Sequence, residues 1–153
     1  MKLLYKRMML TTSLAVLLPL AAHADMPGRH PAYLHALSDL RAARWMLSHR
    51  PGDAAVSSQE DIAISEIDRA IGEIKHAAYD DGKNLDDHPP VDTGMDQPGR
   101  LHQAAQLLAK VHNDIDREED DPQSRELKHR ALMHVDQAEA AVDHAIGDVH
   151  YGR

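Results

Sequence analysis

From Pro31 onward, apolar residues recur at three- and four-residue steps, the spacing that lines one face of an α-helix. Tyr33, Leu37, Leu40 and Leu47 form the first stripe, opened by Pro31 at a first helical position and ended by Arg50-Pro51-Gly52. Ser57 with Glu60, and Ser58 with Asp61, have capping-box spacing, and Ile64, Ile67, Ile71, Ile74 and Ala78 follow without a break. A third helix is predicted from Arg100 to Asp120, with Leu101, Ala104, Leu108, Val111 and Ile115 on one side. Asp121 then caps, and Pro122 opens a fourth, striped by Leu127, Ala131, Ala138, Val142, Ala145 and Val149.

Each predicted helix carries one apolar stripe, and an all-α, antiparallel up-down-up-down four-helix bundle buries all four. Ile67, Ile71, Ile74, Leu37, Leu40, Leu101, Leu108, Ile115, Leu127 and Val142 are the predicted core. The connection between helices 2 and 3 is the exception to short bundle loops. It is a long acidic loop, Asp80 to Gly99, with prolines at 89, 90 and 98. Loops of this length in compact domains are functional or simply mobile.

A chain of 153 residues suits one domain, and an aromatic content of 3% argues against a sandwich or barrel. With no cysteine, disulfides, thiolate catalysis and Cys-ligated metals are excluded. Residues 1–24 have the form of a secretory signal: basic Lys2, Lys6 and Arg7, an apolar run from Met8 to Leu20, then Ala22-His23-Ala24. The expected product is a single bundle domain over residues 25–153, soluble, not membrane-inserted, and periplasmic or secreted. Losing three basic residues lowers its formal charge from -8 to -11, which disfavours nucleic acid and anionic membranes as partners.

Three stretches resemble a family of small exported bacterial helical proteins of uncharacterised function. They are His30-Pro31-Ala32-Tyr33-Leu34 running on to Leu40-Arg41-Ala42-Ala43-Arg44; Asp80-Asp81-Gly82-Lys83-Asn84 with Asp87-His88-Pro89-Pro90-Val91-Asp92; and Arg117-Glu118-Glu119-Asp120 before Asp121-Pro122. The resemblance implies export and an all-helical fold, and brings no activity or site residue with it.

Glu-x-x-His occurs twice, at Glu73–His76 and Glu126–His129, the spacing by which di-iron bundles hold metal. At about 100° per residue these pairs lie opposite the apolar stripes, so a buried di-iron site is not expected. Histidine is the compositional anomaly, with 12 in the chain. In an up-down-up-down bundle His30, His35, His76, His88, His102, His144 and His150 share one end with the acidic loop. Imidazole and carboxylate together suit zinc, nickel, cobalt or copper(II). The candidate metal set is His88 between Asp86, Asp87 and Pro89-Pro90, with His102 or His76 as a second ligand. A solvated polar end with no specific ion is the competing reading, and EF-hand spacing is absent.

Arg44 falls beside the core stripe of helix 1 and needs a partner, for which Glu119 is preferred, with Glu60 or Glu126 as substitutes. His112 and His134 also lie near core stripes, as satisfied core histidines rather than metal or haem ligands. Trp45, Leu34 and Met46 form a candidate protein-contact patch on helix 1. No nucleophile elbow, phosphate loop, dinucleotide fingerprint or HExxH is present, so a non-enzyme is expected. The two functions in view are a binding bundle for a divalent transition metal and an envelope protein-interaction bundle with neither metal nor catalysis.

Overall fold

Pro31 and Asp96 set two of the helix starts. In the computed structural model, residues 31–49, 58–78, 84, 86–118 and 125–152 are described, as four helices: α1 (Pro31–Ser48), α2 (Ser58–Ala78), α3 (Gln97–Arg117) and α4 (Arg125–Tyr151). The signal segment, the Asp121 cap, Pro122 and Glu119 lie outside the described residues. No described helix is long and apolar enough to cross a membrane.

Helix α3 begins three residues earlier than predicted. Asp96 is its N-cap, accepting the Gly99 N–H at 2.9 Å, and Pro98 occupies the first turn, where a missing N–H costs nothing. The predicted core is otherwise found as one cluster. Ile67, Ile71, Ile74, Leu37, Leu40, Leu101, Leu108, Ile115 and Val142 are buried, and Leu127 is half-buried against them. Alanines 36, 43, 63, 70, 104, 131, 138 and 145 are also fully inside, which lets the helix axes approach closely.

The predicted chain order is not what the contacts describe. Arg100 at the start of α3 donates from Nη1 to the Met46 carbonyl at the end of α1, at 2.6 Å. Gln97 Nε2 donates to Glu60 Oε1 at the start of α2, at 2.8 Å. At the other end, the Ala32 N–H of α1 donates to Glu118 just beyond α3, at 3.0 Å, and Arg130 early in α4 pairs with Glu73 late in α2 at 2.9 Å. Helices α1 and α4 therefore run one way, α2 and α3 the other. The order is up-down-down-up, not up-down-up-down. Each side-by-side pair (α1 with α2, α2 with α4, α4 with α3, α3 with α1) is antiparallel, and the backbones of the diagonal pairs do not approach within 8 Å.

The length of the 2–3 connector explains the difference. Eighteen residues separate Ala78 from Gln97, and extended chain covers about 3.3 Å per residue, so about 60 Å is available to travel the roughly 30 Å length of α2. The connector is a crossover, which a bundle tolerates when one connection is long.

Ends of helices are satisfied across the bundle rather than within each helix. Helix α1 has no basic residue in its last turn, and Arg100 supplies the cation to its orphan carbonyls. Glu118 supplies the anion to its first turn. Lys128 of α4 does the same for the end of α3, donating to the carbonyls of Asp116 at 2.7 Å and Glu118 at 3.2 Å.

Candidate functional site

The crossover passes over the end of α1 and engages its polar face. Arg44 donates from Nε to Asp68 of α2 at 2.7 Å and from Nη1 to Asp86 of the connector at 3.3 Å. Those are its partners among the described residues; the expected partner, Glu119, lies outside them. At the next residue, the Trp45 ring stacks on His49 at 3.9 Å and meets His88 at 5.2 Å, tilted by 50°. Trp45 is thus half-covered by two imidazoles. Leu34 is half-buried, and Met46 is 1% exposed in the core. The contact patch of Trp45, Leu34 and Met46 is corrected accordingly: Met46 lies on the inward side of the stripe, one residue from Leu47.

The candidate metal residues do not converge. His76 is in the last turn of α2, beside the start of α4, whereas His102 is in the opening turns of α3 beside the end of α1. Roughly 25 Å of helix separates those levels. The histidines expected at one end are split between both ends, because the crossover reverses α3 and α4 relative to the predicted order. His88 Nδ1 is 2.7 Å from the Pro89 carbonyl, and His102 Nδ1 is 2.7 Å from that of Pro98. Asp86 is engaged by Arg44, and Asp87 is exposed. Among the described residues no three His, Asp or Glu side chains are grouped to hold an ion. Of the Glu-x-x-His pairs, the Glu126 side chain is 91% exposed and His76 and His129 are exposed, whereas Glu73 is only 22% exposed and is turned to Arg130 of α4.

Several buried polar side chains escaped the sequence reading. Glu66 on α2 is buried, accepts from Arg69 Nη1, and lies 2.7 Å from His134 Nδ1 on α4. Asp39 on α1 is buried and accepts from Lys110 of α3 at 2.6 Å. That hydrogen bond raises the Lys110 pKa, against an opposing effect of burial. Arg41, Glu60 and Arg100 are also inside. Their signal was available in the sequence, since Asp39 stands between Ala36 and Ala43, and Glu66 between Ala63 and Ala70, at helical spacing. These small residues widen the buried face beyond the large-residue stripe. The pairs are tied to structural partners and leave no reactive group beside a substrate-sized space.

An open groove lies between α3 and α4. Its volume is about 720 Å³, and Leu132, Met133 and Ala140 line it together with His112, Asp116 and Asp136. His112 does not face the core: its Nε2 is 3.2 Å from Asp136 Oδ1, with both side chains well exposed. Glu139, one turn further along α4, has a buried Oε1 with no hydrogen-bond partner. Burial raises its pKa, nearby His112 opposes that shift, and Asp136 and Asp143 add to it. Met133 is 42% exposed, unusual for a large apolar side chain in this molecule. The groove lining combines apolar and carboxylate side chains, a surface able to bind.

No family model, curated protein or solved structure matches the chain.

Proposed function

We propose that this is an exported, non-catalytic bundle whose work is to bind another protein of the cell envelope through the α3/α4 groove. The observation that carries this reading is the exposure of Met133 in the groove, with Leu132 and Ala140 beside it. A large apolar side chain left open in a concave surface is stabilised when a partner covers it. The signal-like residues 1–24 support an envelope location, and the absence of catalytic motifs supports binding as the activity. Capture of zinc, nickel, cobalt or copper(II) by His88, Asp86 and Asp87 is the weaker reading. Of its alternative second ligands, His76 is at the far end of the bundle from His88, His102 and His88 each have Nδ1 against a backbone carbonyl, and Asp86 already serves Arg44.

The cysteine-free chain permits a direct test in cells. In Met133→Cys, a small soluble maleimide should label the purified protein about tenfold faster than the same protein in intact cells. Ile62, equally exposed at 47% but on α2, provides the reference, and Ile62→Cys should react alike in both settings. Equal rates at position 133 in cells and in solution would overturn the proposal.

A further inference from the structure

His112 and Asp136 meet across the α3/α4 seam with Nε2 and Oδ1 3.2 Å apart, both side chains well exposed. That separation is also an edge of a metal coordination polyhedron, because two ligands each at about 2.0–2.2 Å from an ion, on adjacent corners, stand about 3 Å from one another. The imidazole and the carboxylate can therefore close on an ion with little movement. Asp116 follows His112 by four residues on α3, so both lie on one side of the helix, and it lines the same groove. Lys128 leaves the Asp116 carboxylate accessible: its Nζ donates to the carbonyls of Asp116 and Glu118, and stands 3.9 Å from Asp116 Oδ1. Two ligands are thus at ligand separation, and the third, not yet gathered with them, reaches the ion by turning its own side chain.

The surroundings favour positive charge at that point. Glu139, one turn beyond Asp136, has a buried Oε1 with no hydrogen-bond partner. Burial raises its pKa, His112 opposes the shift, and Asp136 and Asp143 add to it. A dication between His112 and Asp136 would strengthen the opposition that His112 now supplies against these carboxylates. Imidazole nitrogen together with carboxylate oxygen selects zinc, nickel, cobalt or copper(II), whereas calcium and magnesium take oxygen ligands. We infer that the α3/α4 groove binds one divalent transition-metal ion through His112 Nε2 and the carboxylates of Asp136 and Asp116, with water completing the coordination. The site is separate from the His88 connector. It is the strongest metal site of the chain, and it does not depend on the docking role proposed for the groove.

The test titrates the purified protein with Zn²⁺ and Ni²⁺ by calorimetry and locates the ion with Cu²⁺. His112→Ala and Asp136→Asn should each weaken the strongest site at least about tenfold, and Asp116→Asn at least about threefold. His144→Ala and Asp143→Asn remove an exposed imidazole and an exposed carboxylate of α4 that do not line the groove. They should cost less than about twofold. In proton–nitrogen correlation spectra, substoichiometric Cu²⁺ should broaden the amide signals of residues 112, 116 and 136 before those of the connector. Far-UV circular dichroism confirms that each variant keeps the bundle, which exposed positions permit. Equal losses for the groove and control variants would mean scattered binding to surface histidines, and the inference falls. It also falls if Asp116→Asn changes nothing, or if broadening begins at His88 or His102. Shielding of Met133→Cys in cells bears on docking alone, so either claim can fail while the other stands.

Discussion

Replacing Arg100 separates two effects that oppose each other where α1, α2 and α3 meet. Its side chain is 2% exposed, and Nη1 donates to the Met46 carbonyl at 2.6 Å. Nε and Nη2 are buried with no hydrogen-bond partner. In Arg100→Met the charge-assisted hydrogen bond is lost, a cost of about 1.5–3 kcal/mol, but so are two buried unmet donors that each cost about 1–3 kcal/mol. The methionine also keeps most of the stem volume. Relief of the two unmet donors, about 2–6 kcal/mol together, matches or exceeds the lost bond, so methionine is expected to be neutral or stabilising by up to about 3 kcal/mol. Arg100→Ala makes the same polar change and removes the stem as well, opening a cavity worth about 2–4 kcal/mol at the mouth of the core. Urea unfolding followed by far-UV circular dichroism measures both, with an unchanged m-value as the check that only stability has moved. Alanine should be clearly worse than methionine. If methionine is as damaging as alanine, the guanidinium stabilises the end of α1 more than its unmet donors cost, and the reasoning is refuted.

Ile71→Ala, at a position 1% exposed, should cost about 2–5 kcal/mol, and a loss near zero would place that face of α2 in solvent. Because burial raises the Glu139 pKa above its ordinary value of 4.5, the folded chain holds that proton more tightly than the unfolded chain. Ionisation therefore opposes folding, with no penalty below the ordinary value and the full penalty above the raised one. Glu139→Gln should raise the urea midpoint at neutral pH, and the gain should vanish on acidification below the ordinary carboxylate range; an equal gain at both would refute it. Calorimetric titration with Zn²⁺, Ni²⁺ and Cu²⁺ should show weak multi-site binding unaffected by His88→Ala with His102→Ala, whereas tight stoichiometric binding lost in that double variant would restore the metal reading. Protonating the 11 histidines of residues 25–153 offsets the formal charge of -11. Light scattering should therefore show association rising between about pH 7 and 5, a claim lost if the protein stays equally dispersed.

Helix content and core were legible because isoleucine, leucine and alanine at helical spacing carry that information locally. Ile67, Ile71 and Ile74 could be placed inside without knowing what they touch. Chain order was not legible in this way. Every stripe is compatible with either neighbour, and only the length of the connector distinguishes a turn from a crossover. Asp80 to Gly99 is long enough for both, and the path is decided by contacts such as Arg100 with Met46 and Gln97 with Glu60, which are distant in sequence. That one difference moved His76 away from His88 and His102. Asp39 and Glu66 were missed for a related reason. A stripe drawn through large residues is narrower than the face that alanines allow to be buried, and their partners Lys110 and His134 are on other helices. The groove was invisible for the same cause, since Met133 on α4 and His112 on α3 line one groove only once those helices are neighbours.

A photo-crosslinking amino acid placed at position 133 of the full-length chain, in the cells that produce it, tests the docking role most directly. Irradiation should convert the protein into one adduct of discrete mass that joins it to a different polypeptide. The same amino acid at position 62 should give none. No adduct from 133, equal adducts from 133 and 62, or a product joining two copies of this chain would contradict the account.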